Sequence, residues 1–83
     1  MNMYNIIKNI FENHNEQQTI AILLERKLLT YEALDYACRN NKANVFKTLL
    51  TLCNAYTIFP AGPFQLVAAC NTVKTLEILL EFT

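Results

Sequence analysis

Serine and tryptophan are absent from this chain, and glycine, histidine and aspartate each occur once. Without serine, a hydroxyl nucleophile would have to be threonine, and His14 and Asp35 stand at no catalytic spacing to a cysteine. The six glutamates are scattered and read as solvated faces. No paired carboxylates, no phosphate-cradling G-x-x-x-x-G-K and no metal-ligand spacing occur. The expectation is a non-enzyme with no catalytic residue, no cofactor and no metal. Two prolines and a single glycine also argue against an all-β chain, which needs many turns. Charge of one sign is missing too: seven basic side chains balance seven acidic ones, and only 17% of residues are charged. Nothing then draws the chain to phosphate backbones or anionic lipid, so neither nucleic acid nor membrane is an expected partner. No apolar run reaches the roughly 18 residues of a membrane span. The opening Met1-Asn2-Met3-Tyr4-Asn5 lacks the basic stretch and apolar core of a secretory leader. The chain reads as soluble, intracellular and cytoplasmic.

Cys38, Cys53 and Cys70 are odd in number, show no C-x-x-C spacing and lie in apolar stretches. That argues against a disulfide framework and a zinc ribbon, and favours thiols buried as small hydrophobes in a reducing compartment. What the chain does have is apolar weight. At 53% hydrophobic over 83 residues it is one small domain, too hydrophobic for disorder. A chain this short buries only about 60–65% of its unfolded surface, so its stability should be marginal.

Apolar residues recur with helical period. Residues 16–26 align Ile20, Leu23 and Leu24, residues 44–53 align Val45, Phe46, Leu49, Leu50 and Cys53, and residues 73–82 align Val73, Leu76, Leu79 and Leu80. Each follows a shorter segment of small and apolar residues, Tyr4 to Phe11, Tyr31 to Cys38 and Pro63 to Cys70. The pattern predicts six short helices arranged as three hairpins, over units 4–27, 31–53 and 62–83. Leu49, Leu50, Leu79 and Leu80 should be among the most buried side chains, with Phe46, Leu34, Leu66 and Ala37 between neighbouring hairpins. Leu28 and Leu29, in the first connector, should pack between the first two units.

The units repeat. Residues 32–53 fall on residues 62–83 without a gap, an offset of 30, and Asn15 falls on Asn41 at an offset of 26. Asn15, Asn41 and Asn71 then occupy one junction, where a tight turn between short helices favours the left-handed conformation that asparagine tolerates. Positive φ is expected at all three.

These residues resemble ankyrin repeats. The family pattern T-P-L-H-L-A-A-x-x-G-H-x-x-V-V-x-x-L-L-x-x-G is matched by the run Gly62 to Thr72 and by Thr75 to Glu81. In the middle unit it is matched by Leu34, Ala37-Cys38, Arg39-Asn40-Asn41, Val45-Phe46 and Leu49-Leu50. The units are shorter than the family's usual 33 or so residues. Asparagine replaces the glycine, and the T-P-L-H tetrad survives only as Pro63-Phe64. The resemblance implies an all-α fold, a short helical solenoid of three helix-turn-helix repeats, acting as a non-enzymatic protein–protein interaction module. It also implies that partner contacts fall just before the turn residue, at Asn13, His14, Arg39, Asn40, Ala69 and Cys70.

Other readings stand beside it. The connector 54–61 carries Tyr56, Ile58 and Phe59, either an aromatic anchor patch for a partner or side chains folded back as core. His14 is read as exposed at a helix end rather than as a ligand. The last helix ends I-L-L-E-F-T without the polar cap that terminal repeats need, so the chain is expected to be cut from a longer array or covered there. Ile78 and Phe82, four apart, form a second stripe directed away from the preceding hairpin, a surface for a homodimer. A small self-associating structural protein is therefore the rival reading. A phage- or virus-encoded inhibitor of a host protein is a third, suggested by a composition rich in asparagine, isoleucine and lysine.

Overall fold

Asn2 opens the first helix, its side chain accepting the Asn5 N–H at 2.8 Å, one of the donors a helix start leaves without a partner. The computed structural model describes residues 2–53, 66, 68, 70 and 72–81. Among these residues are five helices and no strand: α1 Met3–Asn13, α2 Glu16–Glu25, α3 Tyr31–Arg39, α4 Ala43–Leu52 and α5 Val73–Glu81. The fold is all-α. The sixth expected helix, over Pro63 to Cys70, lies outside the described residues apart from Leu66, Ala68 and Cys70.

Helices of nine to eleven residues do not persist alone in water, so their stability comes from apolar faces packed together. α1 contributes Ile7, Ile10 and Phe11, spaced as one helical stripe, and lies against both α2 and α3. α3 has five buried residues, Ala33, Leu34, Tyr36, Ala37 and Cys38, and lies between α1 and α4. α4 packs against α2, α3 and α5, and buries Val45, Phe46, Leu49 and Leu50. Leu28 and Leu29 are partly buried against the core.

The second helices share a register. Thr19, Val45 and Thr75 are all buried, and so are Leu23, Leu49 and Leu79. The next position behaves differently: Leu50 is 2% exposed, whereas Leu24 is 45% and Leu80 51% exposed. Leu80 was expected in the core and stands outside it. Among the described residues α4 packs against α2, α3 and α5, so a wide arc of its surface is covered. In α5 the buried stripe runs through Thr75, Ile78 and Leu79. At about 100° per residue that stripe turns Leu80 and Val73 toward solvent.

The two described hairpin turns differ. Asn15 was expected in the left-handed region and instead has φ −75° and ψ 176°, as the N-cap of α2. Its side chain accepts the Gln18 N–H at 2.8 Å, and its own N–H donates to Gln18 Oε1 at 3.2 Å, a reciprocal box that needs extended backbone. Asn41 does have positive φ, 57°. It ends α3 in a Schellman motif, with Lys42 N–H donating to the Ala37 carbonyl at 2.8 Å and Asn41 N–H to that of Cys38 at 3.4 Å. Asn71 lies outside the described residues.

A second Schellman motif ends α2, and it places Lys27 at φ 56°. Leu28 N–H donates to the Leu23 carbonyl at 2.8 Å and Lys27 N–H to that of Leu24 at 3.2 Å. A lysine has no local reason to occupy this region, so Lys27→Gly should stabilise the fold by about 0.5–1 kcal/mol. Asn41→Gly should be close to neutral, whereas Asn41→Val should cost about 1–2 kcal/mol. Urea midpoints of the three variants check this, and a destabilised Lys27→Gly would contradict it.

Candidate functional site

Three of the residues expected to meet a partner bond back to their own helices. At the end of α1, Asn13 Nδ2 donates to the Asn9 carbonyl at 2.8 Å. His14 Nδ1 lies 2.9 Å from the Ile10 carbonyl, within hydrogen-bonding distance. At the end of α3, Asn40 Nδ2 donates to the Tyr36 carbonyl at 2.9 Å. Each reaches four residues back to a carbonyl of the last turns, groups that side chains and water commonly satisfy at a helix end. Arg39 Nε donates to both carboxylate oxygens of Asp35, at 3.1 and 3.0 Å, one turn apart, the arginine half-exposed and the aspartate largely covered. Asn13, His14, Arg39 and Asn40 are all exposed.

Other expected site residues fall elsewhere. Tyr56, Ile58, Phe59 and Ala69 lie outside the described residues, as does Phe82. Ile78, expected on an outward stripe for self-association, is 8% exposed and belongs to the chain's own core. Thr75, a polar residue that the apolar pattern passes over, is fully buried. Its burial swings the inner face of α5 toward Ile78. Cys70 does not face outward either: it is half-buried, and Cys38 Sγ donates to Cys70 Sγ at 3.1 Å.

Cys38, Cys70, Thr72 and Thr75 form a small polar cluster where α3 meets the start of α5. Cys70 Sγ donates in turn to the Leu66 carbonyl at 3.4 Å. The Thr72 hydroxyl accepts the Thr75 N–H at 3.2 Å and so caps α5, while the Thr75 hydroxyl donates to the Thr72 carbonyl at 3.0 Å. Among the described residues no buried side-chain nitrogen or oxygen lacks a partner. Cys38 is fully buried and Cys53 half-buried, and all three thiols are free. The pairing of Cys38 with Cys70 was not read from the sequence. The repeat register held the signal, since it sets Cys38 against Ala68, two residues from Cys70.

Burial pushes the Cys38 thiol up to about 12, with the Cys70 sulfur adding to the effect, so the fold favours its neutral form. Burial also raises the Cys53 thiol and the Tyr36 phenol, the latter helped by the Glu12 and Tyr4 charges. Stability should be level up to the ordinary thiol value of about 9. Above it the unfolded chain ionises first, so stability should fall as pH rises toward about 12. Urea midpoints across that alkaline range test the sign, and Cys38→Ala should flatten the decline.

Among the described residues no cavity or cleft is present, no group of three or more histidine, cysteine or acidic side chains is placed to hold a metal, and no helix is long and apolar enough to cross a membrane. What the arrangement offers chemically is surface hydrogen bonding at the helix ends and one thiol pair. Set against known families, curated proteins and solved structures, the chain matches no family model, no curated protein and no solved structure.

Proposed function

We propose that this chain is a non-enzymatic protein–protein interaction module built as a short ankyrin-like helical solenoid. The observation that carries the reading is the burial register of the second helices. Positions 26 and 30 residues apart repeat the same inward face, Thr19, Val45 and Thr75 with Leu23, Leu49 and Leu79. The contacts of α1 with α3, and of α4 with both α2 and α5, support it too, because each unit of a solenoid leans on its neighbours. The left-handed Asn41 fits the same pattern; the extended Asn15 does not, so the first unit turns by a different device. Binding would use the helix-end surface of Asn13, His14, Arg39 and Asn40, with another protein as partner. The test compares what the wild-type chain and Arg39→Glu capture from the source cells, with helicity checked by circular dichroism. A protein held by the wild type and released by the variant is expected; equal capture by both rejects this surface.

The rival reading, a self-associating structural protein, draws on the exposure of Leu24, Leu52, Val73 and Leu80. Sedimentation over a wide concentration range separates the two. A concentration-dependent mass favours self-association, and a constant monomer mass rejects it.

A further inference from the structure

We propose that Cys38 and Cys70 are a redox-active thiol pair that a low-molecular-weight disulfide such as oxidised glutathione converts to an intrachain disulfide. The two residues are 32 positions apart in sequence, yet their sulfurs lie 3.1 Å apart. An S–S bond needs roughly 2.0 Å, so about 1 Å of side-chain movement closes it. The pair is also asymmetric in a useful way. Cys70 is half-buried and keeps some exposed surface, while Cys38 has none, its sulfur set against Cys70 and the Thr75 side chain. Cys53 stands apart, its sulfur turned to the Leu50 carbonyl of its own helix at 3.7 Å.

The chemistry proceeds by two exchanges. The Cys70 thiolate attacks one sulfur of the small disulfide, whose S–S bond breaks and releases one small thiolate. The mixed disulfide left on Cys70 is then attacked by Cys38, whose proton passes to the small thiolate that this step releases. The Cys38–Cys70 bond forms as the second small thiolate leaves. Two electrons pass from the protein thiols to the small disulfide, which ends as two thiols. The burial that keeps Cys38 protonated slows this second step without preventing it.

Closure would fasten Cys70, and with it the chain entering α5, onto α3. In the dithiol state the described contacts across this joint are the Cys38–Cys70 hydrogen bond and one between the Cys38 thiol and the Thr75 side chain. Oxidation thus converts a packing contact at the last unit into a covalent one, and reduction releases it. This inference is independent of the interaction reading, because it rests on the thiol geometry alone.

The experiment uses the full chain, folded and fully reduced, then incubated with oxidised glutathione. Thiols are counted after quenching and denaturation, intact mass is measured, and linked peptides are mapped. The expected result for the wild type is loss of two of its three thiols. The mass should fall by two hydrogens, and one linked peptide should join Cys38 to Cys70. Cys53→Ser should behave identically, and Cys70→Ser should form no internal link. The melting temperature should rise by about 10 °C on oxidation and return with a thiol reductant. Retention of all three thiols, a stable glutathione adduct on Cys70, or a link through Cys53 would each overturn the proposal. The wild-type peptide map decides the matter even if a variant folds poorly.

Discussion

Phe46→Ala is expected to destabilise the fold by about 3–5 kcal/mol, the range for deleting a buried aromatic side chain from a close-packed core. Among the described residues Phe46 heads the fully buried side chains by volume, and it sits on α4, which packs against α2, α3 and α5. Truncation leaves a hole that three neighbours would have to collapse into together, and short helices held by mutual packing cannot shift one at a time. The total stability of a domain of this length is about 4–12 kcal/mol, so the loss would leave it close to unfolded at ambient temperature. Register-equivalent changes provide the internal control. Ile20 and Leu76 occupy the same position on α2 and α5 but are only partly buried, so Ile20→Ala should cost clearly less. The same contrast should separate Leu50→Ala, at about 2–4 kcal/mol, from Leu80→Ala, at under about 1 kcal/mol. Urea unfolding followed by circular dichroism measures all four. Equal costs for Leu50→Ala and Leu80→Ala would mean that α4 does not hold the position assigned to it.

Ala37→Glu should be as damaging, at about 3–5 kcal/mol, because it puts an unpaired carboxylate into the core. Ala37 has no exposed surface, and Ala33, one turn earlier on α3, has none either. Two alanines four apart make a smooth strip on a helix that lies between α1 and α4, so those helices can approach closely. Ala37→Leu tests the steric part alone and should cost about 1–3 kcal/mol by overpacking. The electrostatic part should show in the pH dependence. Burial raises the pKa of the introduced carboxyl, so the gap between Ala37→Glu and the wild type should narrow as pH falls toward about 4. If Ala37→Glu and Ala37→Leu unfold at the same urea concentration at neutral pH, the site is wetter than its burial implies.

The helices were legible in the sequence because the forces that form them act within a turn or two. The 3.6-residue period of apolar side chains placed the five described helices to within two residues at each end. The all-α class followed from the same period. The N-cap role of Asn15 was legible as well, since Gln18 stands three residues later and completes a capping box. Comparison with the left-handed Asn41 obscured it. Asparagine serves both conformations, and sequence register alone does not say which.

What only the tertiary structure decided was the direction each face points and what it meets there. Leu50 and Leu80 occupy equivalent places in equivalent sequence, and one is buried while the other is exposed. The difference lies in the neighbours of α4, which no local pattern encodes. Ile78 is inside rather than outside because the buried Thr75 shares its stripe, and a threonine is a polar residue until its hydroxyl finds the Thr72 carbonyl. Lys27 adopts a left-handed backbone because α2 must end there for Leu28 to reach the core, a demand set by packing against lysine's own preference. Cys38 and Cys70, 32 positions apart, meet only in the packed fold. The sequence by itself determined where helices begin and end, through interactions a few residues long. Contacts between helices, and the 32-position reach from Cys38 to Cys70, determined which faces are covered and which side chains meet, and those contacts exist only once the helices have packed.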